Sequence, residues 1–278
     1  MPLATRTVLL TALALIGFAA NSLLCRRALG ARLIDAATFT TVRLACGAAT
    51  LAVIHLALRG GRARGGSWAS AAMLFAYAAA FSAAYVSIGA GIGALLLFGA
   101  VQTTMLAWAL VRGERPRPWQ WAGIALALAG LAWLTLPGAH APNRVGAVLM
   151  LGAGAAWGIY SLRGRGARDP LAITADNFAR SVPFTIALSL LMLRSEHASL
   201  GGVGLAAASG ALASGVGYSL WYAALPSLSA TRAAAIQLSV PIIAAGGAVL
   251  ILGEQLTVRL LASGAAILVG VWLAIGRR

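Results

Sequence analysis

The chain repeats itself at half its own length. From Ser229 to Glu254 it reads SATRAAAIQLSVPIIAAGGAVLILGE, a small-residue start, then an apolar run holding Gln237, Ser239 and Pro241, then a stop at Gly253-Glu254. About 140 positions earlier, from Gly89 to Glu114, it reads GAGIGALLLFGAVQTTMLAWALVRGE. At that offset Ala90 meets Ala230, Ala94 meets Ala234, Leu110 meets Leu250, and Gly113-Glu114 meets Gly253-Glu254. Further on, Gly130 meets Gly270. A hydrophobic chain of 278 residues that repeats at half its length reads as two equal membrane bundles, 1–139 and 140–278.

Hydrophobic residues make up 60% of the chain and charged residues 10%, against about 25% charged in soluble domains. That balance is expected of an all-α integral membrane protein. The net charge of +15 comes from 21 Arg, no Lys and six acids. Such a basic excess otherwise points to nucleic acid. Here the arginines fall in short clusters between apolar runs, the pattern of positively charged cytoplasmic loops, so no nucleic-acid partner is assigned. Cys25 and Cys46 have no CxxC or Cys/His spacing, and no disulfide, metal or cofactor is assigned to them.

A helix needs about 20 apolar residues to cross a bilayer. Ten such runs can be drawn: 7–24, 36–58, 68–88, 91–111, 119–136, 145–162, 171–193, 203–222, 229–251 and 256–275. The first resembles a signal peptide, with Arg6 ahead of an apolar run. Yet Phe18, Asn21, Ser22 and Leu23 align with Trp157, Tyr160, Ser161 and Leu162 in the second half, so it is read as a true span. With the N-terminus inside, 13 arginines fall in inner loops and six in outer ones. Both termini are therefore expected in the cytoplasm. Five spans per half is an odd number, so the second half enters from the opposite side and the repeats are inverted around a central cavity.

These features resemble the drug/metabolite transporter superfamily: ten runs in two inverted fives, the SATRAAAI…VP…LGE run of the ninth span, and Arg43 in FTTVRLACGA of the second. The chain is most similar to the EamA branch of ten-helix exporters and, within it, to the YddG-type aromatic amino-acid exporters. The resemblance implies a bacterial inner-membrane protein that exports aromatic and other neutral amino acids through a cavity between the halves. Small four-helix pumps of the superfamily keep a carboxylate in their first span for proton exchange. This chain has none there: Gly17 to Leu24 reads GFAANSLL.

A carrier needs polar or aromatic groups near the midplane, and polar groups inside spans should face the bundle interior. Gln102 and Gln237, in the fourth and ninth spans, offer amides for an amino acid's charged ends or for holding helices together. Tyr77, Phe81 and Tyr85 share one helix face, to stack on a solute or to pack. Trp157 and Tyr160 in the sixth span and Asn21 in the first occupy repeat-related positions, where inverted repeats build binding sites. Tyr218 is a candidate gate, with Trp221 and Tyr222 beside it, unless these anchor the helix at the interface. Trp119, Trp121 and Trp272 sit at span ends as belt residues.

Pro241 is expected to break the ladder of the ninth span and act as a hinge, with Gly89 a second hinge. Asp176 stands four residues before Arg180, a spacing that suits a structural ion pair. Arg43 has no local acid. It either recognises a solute carboxylate or makes a structural pair or snorkels, and the structural role is favoured.

Asp35, Glu114, Asp169, Glu196 and Glu254 lie in loops or at span ends, as do His140 and His197, with His55 near an inner end. Only Asp176 enters a span. Transport is therefore expected to run down the solute's own gradient by alternating access. The alternatives are a drug or other metabolite exporter, proton-coupled or not. An intramembrane enzyme lacks its Ser/His, paired-Asp or HExxH signature here, and no nucleotide-binding loop is present. A scaffold would not need midspan amides and aromatics at repeat-related sites. The expected partners are a small-molecule solute and the lipid bilayer, and ten helices with an internal twofold suffice as a monomer.

Overall fold

The computed structural model describes residues 3–113, 117–136, 141–192, 197–228 and 236–275. Among them the chain is helical between its connections, with one isolated antiparallel bridge, Ile34 to Ala198. The helices are α1 (Leu3–Gly30), α2 (Ala36–Arg59), α3 (Trp68–Tyr85), α4 (Ala90–Val111) and α5 (Pro118–Thr135). There follow α6 (Arg144–Arg163), α7 (Pro170–Leu191), α8 (Leu200–Ser227), α9 (Ser239–Leu252) and α10 (Val258–Ile275). Six of them, α1, α2, α3, α4, α6 and α8, are long and apolar enough to cross a membrane, and α9 and α10 are shorter apolar helices. Glu114, His140, Glu196 and residues 229–235 lie outside the described residues.

Helix starts are set by small polar side chains that accept from first-turn amides. Ser67, Asn143, Asp169 and Ser199 cap α3, α6, α7 and α8 in this way. Asp35 caps α2, accepting from Ala37 and Thr38 at 3.0 and 2.9 Å, and also accepts from the His197 amide at 3.1 Å. It thereby ties the start of α2 to the connection before α8. Burial alone would raise the Asp35 carboxyl. The amides of Thr38, His197 and Ala37 outweigh burial and hold its pKa below the ordinary value.

The helices pair as α1 with α8 and α9, α6 with α3 and α4, α2 with α7 and α8, α4 with α9, and α5 with α10. Side chains are distributed opposite to a water-soluble protein. Val53, Leu56, Leu191, Ile242 and Leu250 face outward, while Asn21, Thr40, Arg43, Asn177 and Ser181 are buried. Close approach rests on small residues. A Cβ on Gly123 would stand 2.6 Å from the Gly270 carbonyl, and one on Gly270 2.5 Å from the Gly123 carbonyl, so α5 and α10 meet backbone to backbone. A Cβ on Gly210 would strike the Arg43 carbonyl where α8 crosses α2.

The helices depart from the sequence reading in three places. α1 runs on to Gly30, so Arg26 and Arg27 are helical rather than in a loop. Pro183 lies inside α7, where the sequence reading singles out no proline. The middle of α8, Ser209–Val216, is wound as a π-helix, a form that recurs at functional sites. A turn at Leu238 separates helical Ile236 and Gln237 from α9, and Pro241, in the first turn of α9, has no N–H to offer the Gln237 carbonyl four residues earlier.

Candidate functional site

A cavity of about 370 Å³ lies among α1, α3, α4, α6, α7 and α8, with Gln237 ahead of α9 on its wall. That is within the roughly 300–1,000 Å³ of small-molecule sites. Its wall is rich in aromatic rings because three helices each spend one face on them. Tyr77 and Phe81 are one turn apart on α3, Trp157 and Tyr160 on α6, and Tyr218 and Tyr222 on α8. Trp157 joins them: its ring lies 4.8 Å from Tyr77, stacks on Tyr160 at 5.2 Å and stacks on Tyr218 at 5.5 Å. Phe18 of α1 meets Tyr218 at 5.4 Å.

Amides and hydroxyls are set between the rings. Ser209, in the π-helical turn, donates to Asn21 Oδ1 at 2.6 Å, and Asn21 Nδ2 faces the Tyr77 hydroxyl at 3.4 Å. Asn177 Nδ2 faces the Tyr160 hydroxyl at 3.5 Å, and Thr174 pairs with the Tyr222 hydroxyl at 2.9 Å. The cavity reaches the surface at the α6–α7 connection, where the exposed Arg165 and Gly166 form its rim. Arg165 is its one charged lining residue, and no Asp, Glu or His is among the described lining residues.

The opposite end is closed. Glu254 accepts from the Ala90 amide at 2.8 Å and the Gly91 amide at 3.3 Å, supplying the cap that Gly89 has no side chain to give. A Cβ on Gly89 would stand 2.7 Å from that carboxylate. Arg26 lies 3.6 Å from Glu254 and donates to the carbonyls of Tyr85 at 3.0 Å and Val86 at 3.3 Å. One ion pair thus joins the end of α1, the end of α3, the start of α4 and the α9–α10 connection.

Arg43 stands behind the aromatic wall and is 1% exposed. Its Nη2 donates to the Tyr77 hydroxyl at 3.0 Å, and its guanidinium carbon lies 5.2 and 5.0 Å from the Tyr77 and Phe81 ring centres. Its Nε and Nη1 have no hydrogen-bond partner among the described residues. Among the described residues it neither pairs with a carboxylate nor reaches the surface, so the favoured structural pair or snorkelling is not what the fold builds. Asp176 and Arg180 do pair, at 3.1 Å, and Asp176 also accepts from the Gly66 amide at 2.9 Å, which ties the α2–α3 connection to α7.

Of the residues singled out from sequence, Asn21, Tyr77, Phe81, Trp157, Tyr160, Tyr218 and Gln237 line this one cavity. Gln102 does not. It lines an adjoining pocket of about 340 Å³ between α4, α5, α6 and α10, with Ile124 and Val271, which shares Met105, Ser161 and Arg165 with the cavity. Gly89 and Pro241 lie away from the cavity wall. Thr174 and Asn177 of α7 went unnoticed, although a buried Thr and Asn three residues apart in an apolar helix are a signal in themselves.

Residues 144–276 match the EamA-like transporter family. The chain is also 54% identical over 276 residues to the uncharacterized protein PA1977 of Pseudomonas aeruginosa, covering 98% of this chain and 96% of that one. The chain belongs to the EamA-like transporter family. A solved crystal structure superposes on this EamA-like transporter with a TM-score of 0.68 over 95% of each chain. At 20% identity that likeness is one of fold alone. Family membership makes the protein a multi-pass membrane transporter.

Proposed function

We propose that the protein carries neutral amino acids, aromatic ones among them, out of the cytoplasm by alternating access, coupled to no other gradient. The observation that carries this reading is the Trp157 cluster: three rings around one indole, with the Asn21 and Asn177 amides beside them. Rings take an aromatic or aliphatic side chain, and amides take an ammonium or carboxylate. The cavity wall holds no described acid or histidine to titrate, which supports uncoupled movement.

The helix pairings accord with two inverted fives. Shifting each helix by five positions turns the α6 contacts with α3 and α4 into the α1 contacts with α8 and α9, and returns α2–α7, α4–α9 and α5–α10 to themselves. On this reading all ten helices span the plasma membrane of a bacterium, both termini are cytoplasmic, a monomer is the working unit and the cavity faces inward. The test is competition for labelled phenylalanine in proteoliposomes. Tryptophan, tyrosine and leucine should compete, and glutamate and lysine should not. Equal competition by all five, or by none, would remove the amino-acid reading.

A further inference from the structure

We infer that the cavity wall at Tyr77 is an anion position, where the Tyr77 hydroxyl, backed by Arg43, holds the carboxylate of the solute. The inference deepens the amino-acid reading and rests on it only for what the rest of the solute is.

The rim lies at the α6–α7 connection, on the same side as the start of α3, which is tied to α7 through Gly66 and Asp176. Tyr77 is nine residues into α3, roughly 13 Å from that side at 1.5 Å per residue, and Phe81 is one turn deeper. A solute entering from the rim therefore reaches Tyr77 well inside the cavity. At this depth Arg43 carries a full charge that no described acid balances, and two of its nitrogens are buried without acceptors. A buried cation without a counter-charge favours any anion that comes near it.

Tyr77 is the only group that accepts a hydrogen bond from Arg43 among the described residues, and it also lines the cavity. Both Arg43 and Asn21 donate to its oxygen, so its own proton is left to donate. The Tyr77 hydroxyl is thus a donor at the cavity surface, polarised by a guanidinium directly behind it. Such a donor prefers a carboxylate to a neutral or cationic group. The faces of Tyr77 and Phe81 that the guanidinium covers keep it from the cavity, so the charge acts through the hydroxyl.

The test uses the purified protein and thermal stabilisation by three matched probes: phenylalanine, 3-phenylpropanoate, which lacks the amine, and 2-phenylethylamine, which lacks the carboxylate. The two carboxylates should stabilise at concentrations about tenfold below that needed for the amine. Tyr77→Phe removes only the hydroxyl and should erase that preference while leaving 2-phenylethylamine unchanged. Arg43→Lys should keep part of the preference and Arg43→Gln none. If the Arg43 variants do not fold, Tyr77→Phe decides alone. Stabilisation by 3-phenylpropanoate without phenylalanine would uphold the anion position and remove the amino-acid reading. Equal stabilisation by amine and carboxylates, a uniform loss in Tyr77→Phe, or no stabilisation by any probe would overturn the inference.

Discussion

Trp157 touches three rings at once, so it sets the shape of the cavity more than any other side chain. Aromatic pairs contribute about 0.5–1.5 kcal/mol beyond burial. Trp157→Ala should weaken aromatic solutes about tenfold in half-saturation, and aliphatic ones less. Equal weakening of both would mean the indole only supports the fold. Asp176 presents the contrasting case. Its contacts go to Arg180 and to the Gly66 amide. Asp176→Asn keeps an acceptor for Gly66 and should cost at most about 1 kcal/mol in stability. Solute flux should persist in that variant, and abolished flux in a folded protein would contradict uncoupled transport. Residue types were legible in the sequence, but facing was not. Gln102 sits in a helix that is apolar all round and Gln237 just ahead of another, so no periodicity says which way either amide points. Packing sends Gln237 to the central cavity and Gln102 to the pocket beside α5 and α10. Asn177 was overlooked because the adjacent Asp176 and Arg180 explain each other so readily.

At the scale of helices, the Glu254 clamp is the element that holds one end of the cavity shut. Hydrogen bonds to a charged acceptor contribute about 1.5–3 kcal/mol. Glu254→Gln should therefore shift the population toward opening at the α3–α4 end by about tenfold. The measurement is labelling of Ser22→Cys, with Cys25 and Cys46 replaced by Ala, using an impermeant thiol reagent on that side. Ser22 lines the cavity and is 2% exposed, so labelling reads the opening directly. Unchanged labelling would mean that Glu254 caps α4 without gating.

Asp35 supports the same end through the α1–α2 and α7–α8 connections. Its folded pKa is depressed, so its contribution is present above the ordinary carboxylate range and is lost as pH falls through the lowered folded value. Asp35→Ala should lower stability by about 1 kcal/mol at pH 7, and the gap to the parent should close only in strong acid. A gap that closes near neutrality would assign the effect to another group. The π-helical turn of α8 left no mark in the sequence, because SGALASGV is made of small residues whose spacing fits either winding. It is nevertheless the turn that brings Ser209 to Asn21.

For the whole molecule, the repeat at half length and the charge-poor composition carried the all-helical membrane reading, because both follow from what a bilayer permits. The ends of the helices were less legible. Charge ends a hydropathy run, so local pattern puts Arg26 in a loop, yet α1 continues past it and Arg26 meets Glu254. A long-range ion pair of that kind cannot be read from local pattern. A ring-lined cavity with no described acid on its wall leads to one central claim: the solute moves alone, down its own gradient. The most direct measurement is uptake of labelled phenylalanine by liposomes holding only this protein, with no pH or ion gradient. Saturable uptake that tryptophan competes for is the predicted result. Uptake that begins only when a proton gradient is imposed would contradict it.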